Sequence, residues 1–169
     1  MVAAQAPEPP AAELPLVDTV TLLGYPVPLG MWQAEHFAEL LREFALIVIS
    51  EGAGSGRAQV PQRLIDLADA ITTRYSDELS GPTAALEQAA QAGQATVDLH
   101  YPVVPETKQV IRAWEAVMAE VDEFCRAGSL LTLATPPEIV ALRRWTLEQF
   151  LDQVEGRPAR GWPGESVPS

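Results

Sequence analysis

Cysteine is nearly missing from this chain. Cys125 stands alone among 169 residues, and one thiol cannot close an internal disulfide. That usage predicts a reducing, cytoplasmic location. Long apolar runs are missing too. The longest, Phe44 to Ile49, falls far short of the roughly 20 residues that span a bilayer, so no membrane segment is expected. The opening Met-Val-Ala-Ala-Gln carries neither the basic nor the apolar region of a secretory signal. Positive charge is scarce: 11 Lys and Arg stand against 23 Asp and Glu, for a net charge of -12. Such a surface repels phosphate backbones and anionic lipid, which argues against nucleic acid and membrane partners. It suits solubility, or a protein partner with a basic patch. Signature motifs are lacking as well. There is no Ser/His/Asp order, no zinc spacing and no dinucleotide fingerprint. The loop Glu51-Gly52-Ala53-Gly54-Ser55-Gly56 lacks the Lys-Ser or Lys-Thr ending of a phosphate-binding loop and reads as a flexible connector. No enzyme, cofactor or metal is expected on these grounds.

What the chain does have is helical periodicity. Phe37, Leu40, Phe44 and Ile47 recur at spacings of three and four. So do Val60, Leu64, Leu67 and Ile71, and again Val110, Trp114, Val117, Val121 and Phe124. Ile139, Leu142, Trp145, Phe150 and Val154 follow more loosely. Each set lies on one face of a helix, and such faces are stable only when buried against one another. The fold class predicted is mainly α: a four-helix core, a short extra helix and a small two-stranded β element.

Residues 1–16, rich in Ala, Pro and Glu, read as a disordered arm. Residues 17–156 form the single helical domain, and residues 157–169 a loose tail. Trp162 is the exception in that tail; its ring favours docking on its own domain. A strand is expected over Val17–Leu23, ended by Gly24, with Pro26 and Pro28 keeping an extended edge. The first helix then runs from about Gly30 to Ser50, and the second from Pro61 to Leu79. Ser80-Gly81-Pro82 breaks the chain before a short helix over Thr83–Gln91. A second strand, Ala95–Val103, places Val97, Leu99 and Tyr101 on one face and can pair with the first. The third helix follows Pro105 and ends near Ala127, with Gly128 as its stop. Thr135-Pro136-Pro137-Glu138 reads as a capping box opening the fourth helix, which runs to about Val154.

Candidate sites rest on placement and charge. His36, Glu39 and Glu43 share a flank of the first helix, and Arg143 and Arg144 form the densest basic cluster. Together they are the expected partner-binding surface; the plainer alternative is salt bridges within the molecule. His36 is also a candidate for phosphotransfer, although Glu35 and Glu39 beside it repel a phosphoryl group. A di-metal carboxylate site needs Glu three residues before the histidine, where Gln33 stands. Trp32, Trp114, Phe124, Cys125 and Trp145 are the candidates for lining a ligand cavity between helices, their plainer alternative being ordinary core. Cys125 beside Phe124 reads as a small core residue rather than a thiolate. His100 and Tyr101 are candidates for lining a pocket between strand and helices, their plainer alternative being edge-strand side chains with polar tips in solvent.

The segments from Glu35 to Ile47 and from Phe124 to Trp145, with the Gly161-Trp162-Pro163 ending, resemble small helical actinobacterial proteins. Those occur with anti-sigma-type kinases, STAS-domain antagonists and PP2C-type phosphatases. The resemblance covers most of residues 17–163. It implies a non-enzymatic regulatory or adaptor role in partner-switching signalling, through a protein partner, and carries over no site residue. The amphipathic faces also allow a homo-oligomer.

Overall fold

The computed structural model describes residues 18–51, 73–127 and 135–164, apart from the side chains of Phe44, residues 47–51 and Phe124. Strand β1 (Thr19–Pro26) leads directly into helix α1 (Val27–Glu51). Helix α2 (Ser76–Gln91), strand β2 (Thr96–Pro102), helix α3 (Thr107–Arg126) and helix α4 (Pro137–Val154) follow. Among the described residues the protein is thus four helices and one two-stranded antiparallel sheet, as the periodicity predicts. The expected arm over 1–16, the expected helix from Pro61 to residue 72, the glycine loop after Glu51 and the Gly128 stop lie outside the described residues.

The sheet pairs Thr19 with Pro102 and Leu22 with Leu99. Alternation buries Val20, Leu22 and Leu99 and leaves Asp98 and His100 exposed. Gly24 does not end the strand. It sits at a bulge between Leu22 and Tyr25, with φ of 63°, a conformation glycine adopts at little cost. Its N–H donates to the Asp98 carboxylate at 2.7 Å. The extended edge expected through Pro28 stops at Pro26. Val27 and Pro28 already belong to α1, where proline's missing N–H forfeits no helical bond. The Val27 N–H is taken up by the Ala95 carbonyl at 3.0 Å. One turn on, Gly30 lies under the Tyr25 ring, so close that a Cβ there would come within 2.3 Å of it.

Ser80-Gly81-Pro82 does not break the chain either. Helix α2 runs through it. Pro82 lacks the N–H that would bond the Glu78 carbonyl, but its ring is buried, and packing outweighs one lost backbone bond. The Thr83–Gln91 helix is therefore the second half of a longer one. Val20, Leu22, Tyr25, Leu99, Leu142, Trp145 and Phe150 form the core between sheet and helices.

The chain beyond α4 is pinned rather than loose as far as Trp162. Arg157 and Arg160 pair with Asp152 at 2.7 and 2.5 Å. The Trp162 N–H donates to the Leu23 carbonyl at 3.1 Å, forming a parallel bridge of Gly161 to β1. The Trp162 ring meets Trp145 edge-on at 5.3 Å. Docking on its own domain is thus the reading that holds for Trp162.

Candidate functional site

Two buried regions carry chemistry, and they differ in kind. The first is a chain of polar side chains between α1, α3 and α4. Asp122 sits on α3 beside Val121, one turn from Met118 and Cys125, all buried. A carboxylate there needs partners. Arg143 of α4 gives it one, Nη2 to Oδ2 at 2.5 Å, with both side chains only 13% exposed. Thr135 gives the other, its hydroxyl donating to Oδ1. That uses the hydroxyl's one proton, so its lone pair is left to accept from Nε2 of His36, 3.2 Å away. His36 is only 8% exposed.

This chain of contacts revises two expectations. Thr135 is not a helix cap: the N-cap position of α4 falls on Pro136, with no side-chain capping bond. The Thr135 hydroxyl lies one residue before the N-cap and serves the interior instead, donating to the buried Asp122 carboxylate. Nor do the five candidate partner-binding residues form one exposed patch. His36 and Arg143 are turned inward, Glu43 is half-buried, and Glu39 and Arg144 remain exposed. The plainer alternative, a salt bridge between helices, describes Arg143. Cys125 lies buried on the same side. Burial, then the negative charges of Asp122 and Glu43, push its thiol up to about 11, so it is inert at neutral pH.

The second region is an apolar cavity of about 250 Å³. Phe37 of α1 and Trp114 of α3 meet edge-on across it at 5.1 Å. Tyr101 of β2 and Phe150 of α4 do the same at 5.1 Å. Tyr75 and Leu79 line it from the side of α2, Val110 and Ile111 from α3, and Leu147 from α4. Burial pushes the Tyr101 phenol up to about 12. Three polar side chains break the apolar wall, Glu78 of α2, Thr107 of α3 and Thr146 of α4; the Thr107 hydroxyl is partnered by the Val104 backbone. One carboxylate oxygen of Glu78 and the hydroxyl of Thr146 are shut off from solvent with no hydrogen-bond partner. A buried oxygen left so costs about 1–3 kcal/mol.

Of the five candidates for a cavity between helices, Trp114 alone is placed here; Tyr101, a candidate for a pocket between strand and helices, lines it as well. Trp145 belongs to the core, packed on Tyr25 and Trp162. Cys125 belongs to the polar chain. Trp32, 44% exposed, lines a shallow surface groove with Trp162, Pro26 and Glu138. The Phe124 side chain lies outside the described residues. Sequence reasoning missed Glu78, Thr146, Asp122 and Thr135. Asp122 had a signal: a carboxylate flanked at helical spacing by Met118, Val121 and Cys125. Thr146, between Trp145 and Leu147 on an amphipathic helix, had a fainter one.

Among the described residues no group of His, Cys, Asp and Glu is arranged to hold a metal ion, and no helix is long and apolar enough to cross a membrane. The chain matches no known protein family, and neither a curated protein nor a solved structure matches it.

Proposed function

We propose that this protein is a non-enzymatic regulatory protein that senses a small, largely apolar molecule held between its helices. One observation carries the reading: an aromatic-lined cavity of about 250 Å³ whose wall includes two side chains with unpartnered buried oxygens. Binding pockets combine those features, mostly apolar walls with a few polar groups that fix orientation. The volume lies just below the ~300 Å³ at which pockets for drug-sized ligands begin, so the ligand is smaller than those.

The test is binding of a neutral fluorescent probe, N-phenyl-1-naphthylamine, to the full chain. Ile111→Trp, which fills the cavity, serves as control. Saturable binding abolished by Ile111→Trp, in a variant with an unchanged circular dichroism spectrum, is the expected result. Probe binding that ignores the substitution rejects the cavity as the site.

A second reading is a protein–protein adaptor, in the partner-switching role implied by the resemblance above. Met31, Trp32 and Leu46 of α1 are large apolar side chains exposed to solvent, and such exposure favours a partner. Native mass spectrometry of gently purified protein separates the two. A small reproducible extra mass supports the sensor, and a complex with a kinase, STAS or phosphatase component supports the adaptor.

A further inference from the structure

We propose that the cavity selects a cation: a small organic ammonium ion, with its charge towards Glu78 and its apolar body among the aromatic rings. The proposal rests on the reading of the cavity as a ligand site and goes beyond it by naming the ligand's charge.

Aromatic residues are sparse in this chain, with 4 Phe, 3 Tyr and 4 Trp. Five of them, Phe37, Tyr75, Tyr101, Trp114 and Phe150, line this one space. A cation that meets the face of any of these rings is attracted through the ring quadrupole. The ring face has no such attraction for anions. The molecule already shows the contact on one of these rings: the Arg74 guanidinium lies over Tyr75, 5.6 Å from its centroid.

The charges around the cavity point the same way. Among the described lining residues Glu78 is the one charged side chain. No Lys, Arg or His faces it there, so a carboxylate or phosphate ligand would meet repulsion with nothing to offset it. Arg74, the cation beside Tyr75, is exposed and within 3.9 Å of a Glu106 oxygen, which offsets its charge. An ammonium ion brings only donors. A carboxylate accepts and cannot donate, so Glu78 in the wall matches an ammonium ion and not an anion. The net charge of -12 adds a favourable field for cations over the whole surface.

Three probes of matched shape test this: 2-phenylethylammonium, 2-phenylethanol and 3-phenylpropionate, titrated calorimetrically into the full chain. The ammonium is expected to bind about tenfold tighter than the alcohol, with 3-phenylpropionate weakest. In Glu78→Gln the ammonium should lose that advantage while the alcohol keeps its affinity, which also shows that the variant's cavity is intact. If the alcohol binds the native protein as well as the ammonium, or the preference survives Glu78→Gln, the charge assignment is overturned and the cavity reading stands. If none of the three binds, both fall.

Discussion

Adjacent residues of α1 point into opposite interiors. His36 enters a polar chain in which a hydrogen bond or an ion pair links each member to the next. Phe37 enters a cavity where two of the polar side chains in the wall, Glu78 and Thr146, each leave an oxygen unpartnered. Consecutive helical residues are about 100° apart, so one helix serves both. The polar chain is closed: His36, Thr135, Asp122 and Arg143 answer one another, and nothing about them calls for a further molecule. The cavity is open in the chemical sense. A buried polar group that the fold satisfies is architecture; one that it leaves unsatisfied needs an explanation, and in a cavity wall a ligand-binding role is one.

The sharpest way to break the contrast is at Asp122. Asp122→Ala leaves Arg143 buried without its counter-charge, which should cost about 3–5 kcal/mol and lower Tm by roughly 10 °C. Replacing both partners, as Asp122→Leu with Arg143→Met, should recover most of that loss, since an apolar pair of similar volume is often neutral. Thermal melts of the two variants beside the parent check it. A single variant that melts like the parent would mean that the ion pair does not hold α3 to α4.

One substitution made in both regions should give opposite signs. Thr135→Val deletes the donor to Asp122 and the acceptor for His36, and urea titration should show a loss of about 1–3 kcal/mol. Thr146→Val deletes a hydroxyl that has no partner and keeps its shape. It should raise stability by up to about 1 kcal/mol. Equal effects at the two sites would erase the distinction drawn here.

Alkaline pH sharpens the comparison from another side. Cys125, on the polar side, is pushed up to about 11 from an ordinary value of 9.0. Tyr101, in the cavity wall, is pushed up to about 12 from 10.0. Both groups hold their protons more tightly folded than unfolded. Their contribution to stability is therefore complete below about pH 9 and is lost as pH climbs through 11 and 12. Stability measured from pH 8 to 11 should fall steadily, and Cys125→Ala should flatten the first part of that fall. At pH 8 a thiol reagent should label Cys125 only as fast as the protein opens.

The smallest effect is expected at the surface. Arg126 reaches Glu123 at 2.5 Å, both more than half exposed. Arg126→Ala should change stability by less than about 0.5 kcal/mol, and less still in high salt.

Periodicity made the helices legible because each buried face repeats over several turns. The first strand was legible from the β-branched and apolar run Val17–Leu23, the second from Val97, Leu99 and Tyr101 at alternate positions. The sequence misled where a local signal met a stronger tertiary one. Pro82 and Gly24 are ordinary punctuation, but one lies buried in a helix and the other sits at a bulge. Thr135 matched a cap, yet Asp122, thirteen residues earlier in sequence, claimed its hydroxyl. The cavity was hardest to read. Phe37, Tyr101, Trp114 and Phe150 come from four different elements, and no spacing along a chain records that their rings meet. Glu78 and Thr146 look like surface positions until the helices are assembled.

Gln153 gives the sheet a property that the strands alone lack. Its buried amide accepts from the Thr21 N–H at 2.9 Å and donates to the Thr21 carbonyl at 2.8 Å, imitating the backbone of a neighbouring strand. Two residues further along β1, Leu23 is bridged to Gly161. A two-stranded sheet has outer edges that can template the next chain, and self-assembly into fibres begins at such edges. Here the molecule supplies its own terminator for β1, part side chain and part tail. Cutting the chain after Val154 would leave half of that terminator behind, exposing the Leu23 carbonyl to recruitment by another copy.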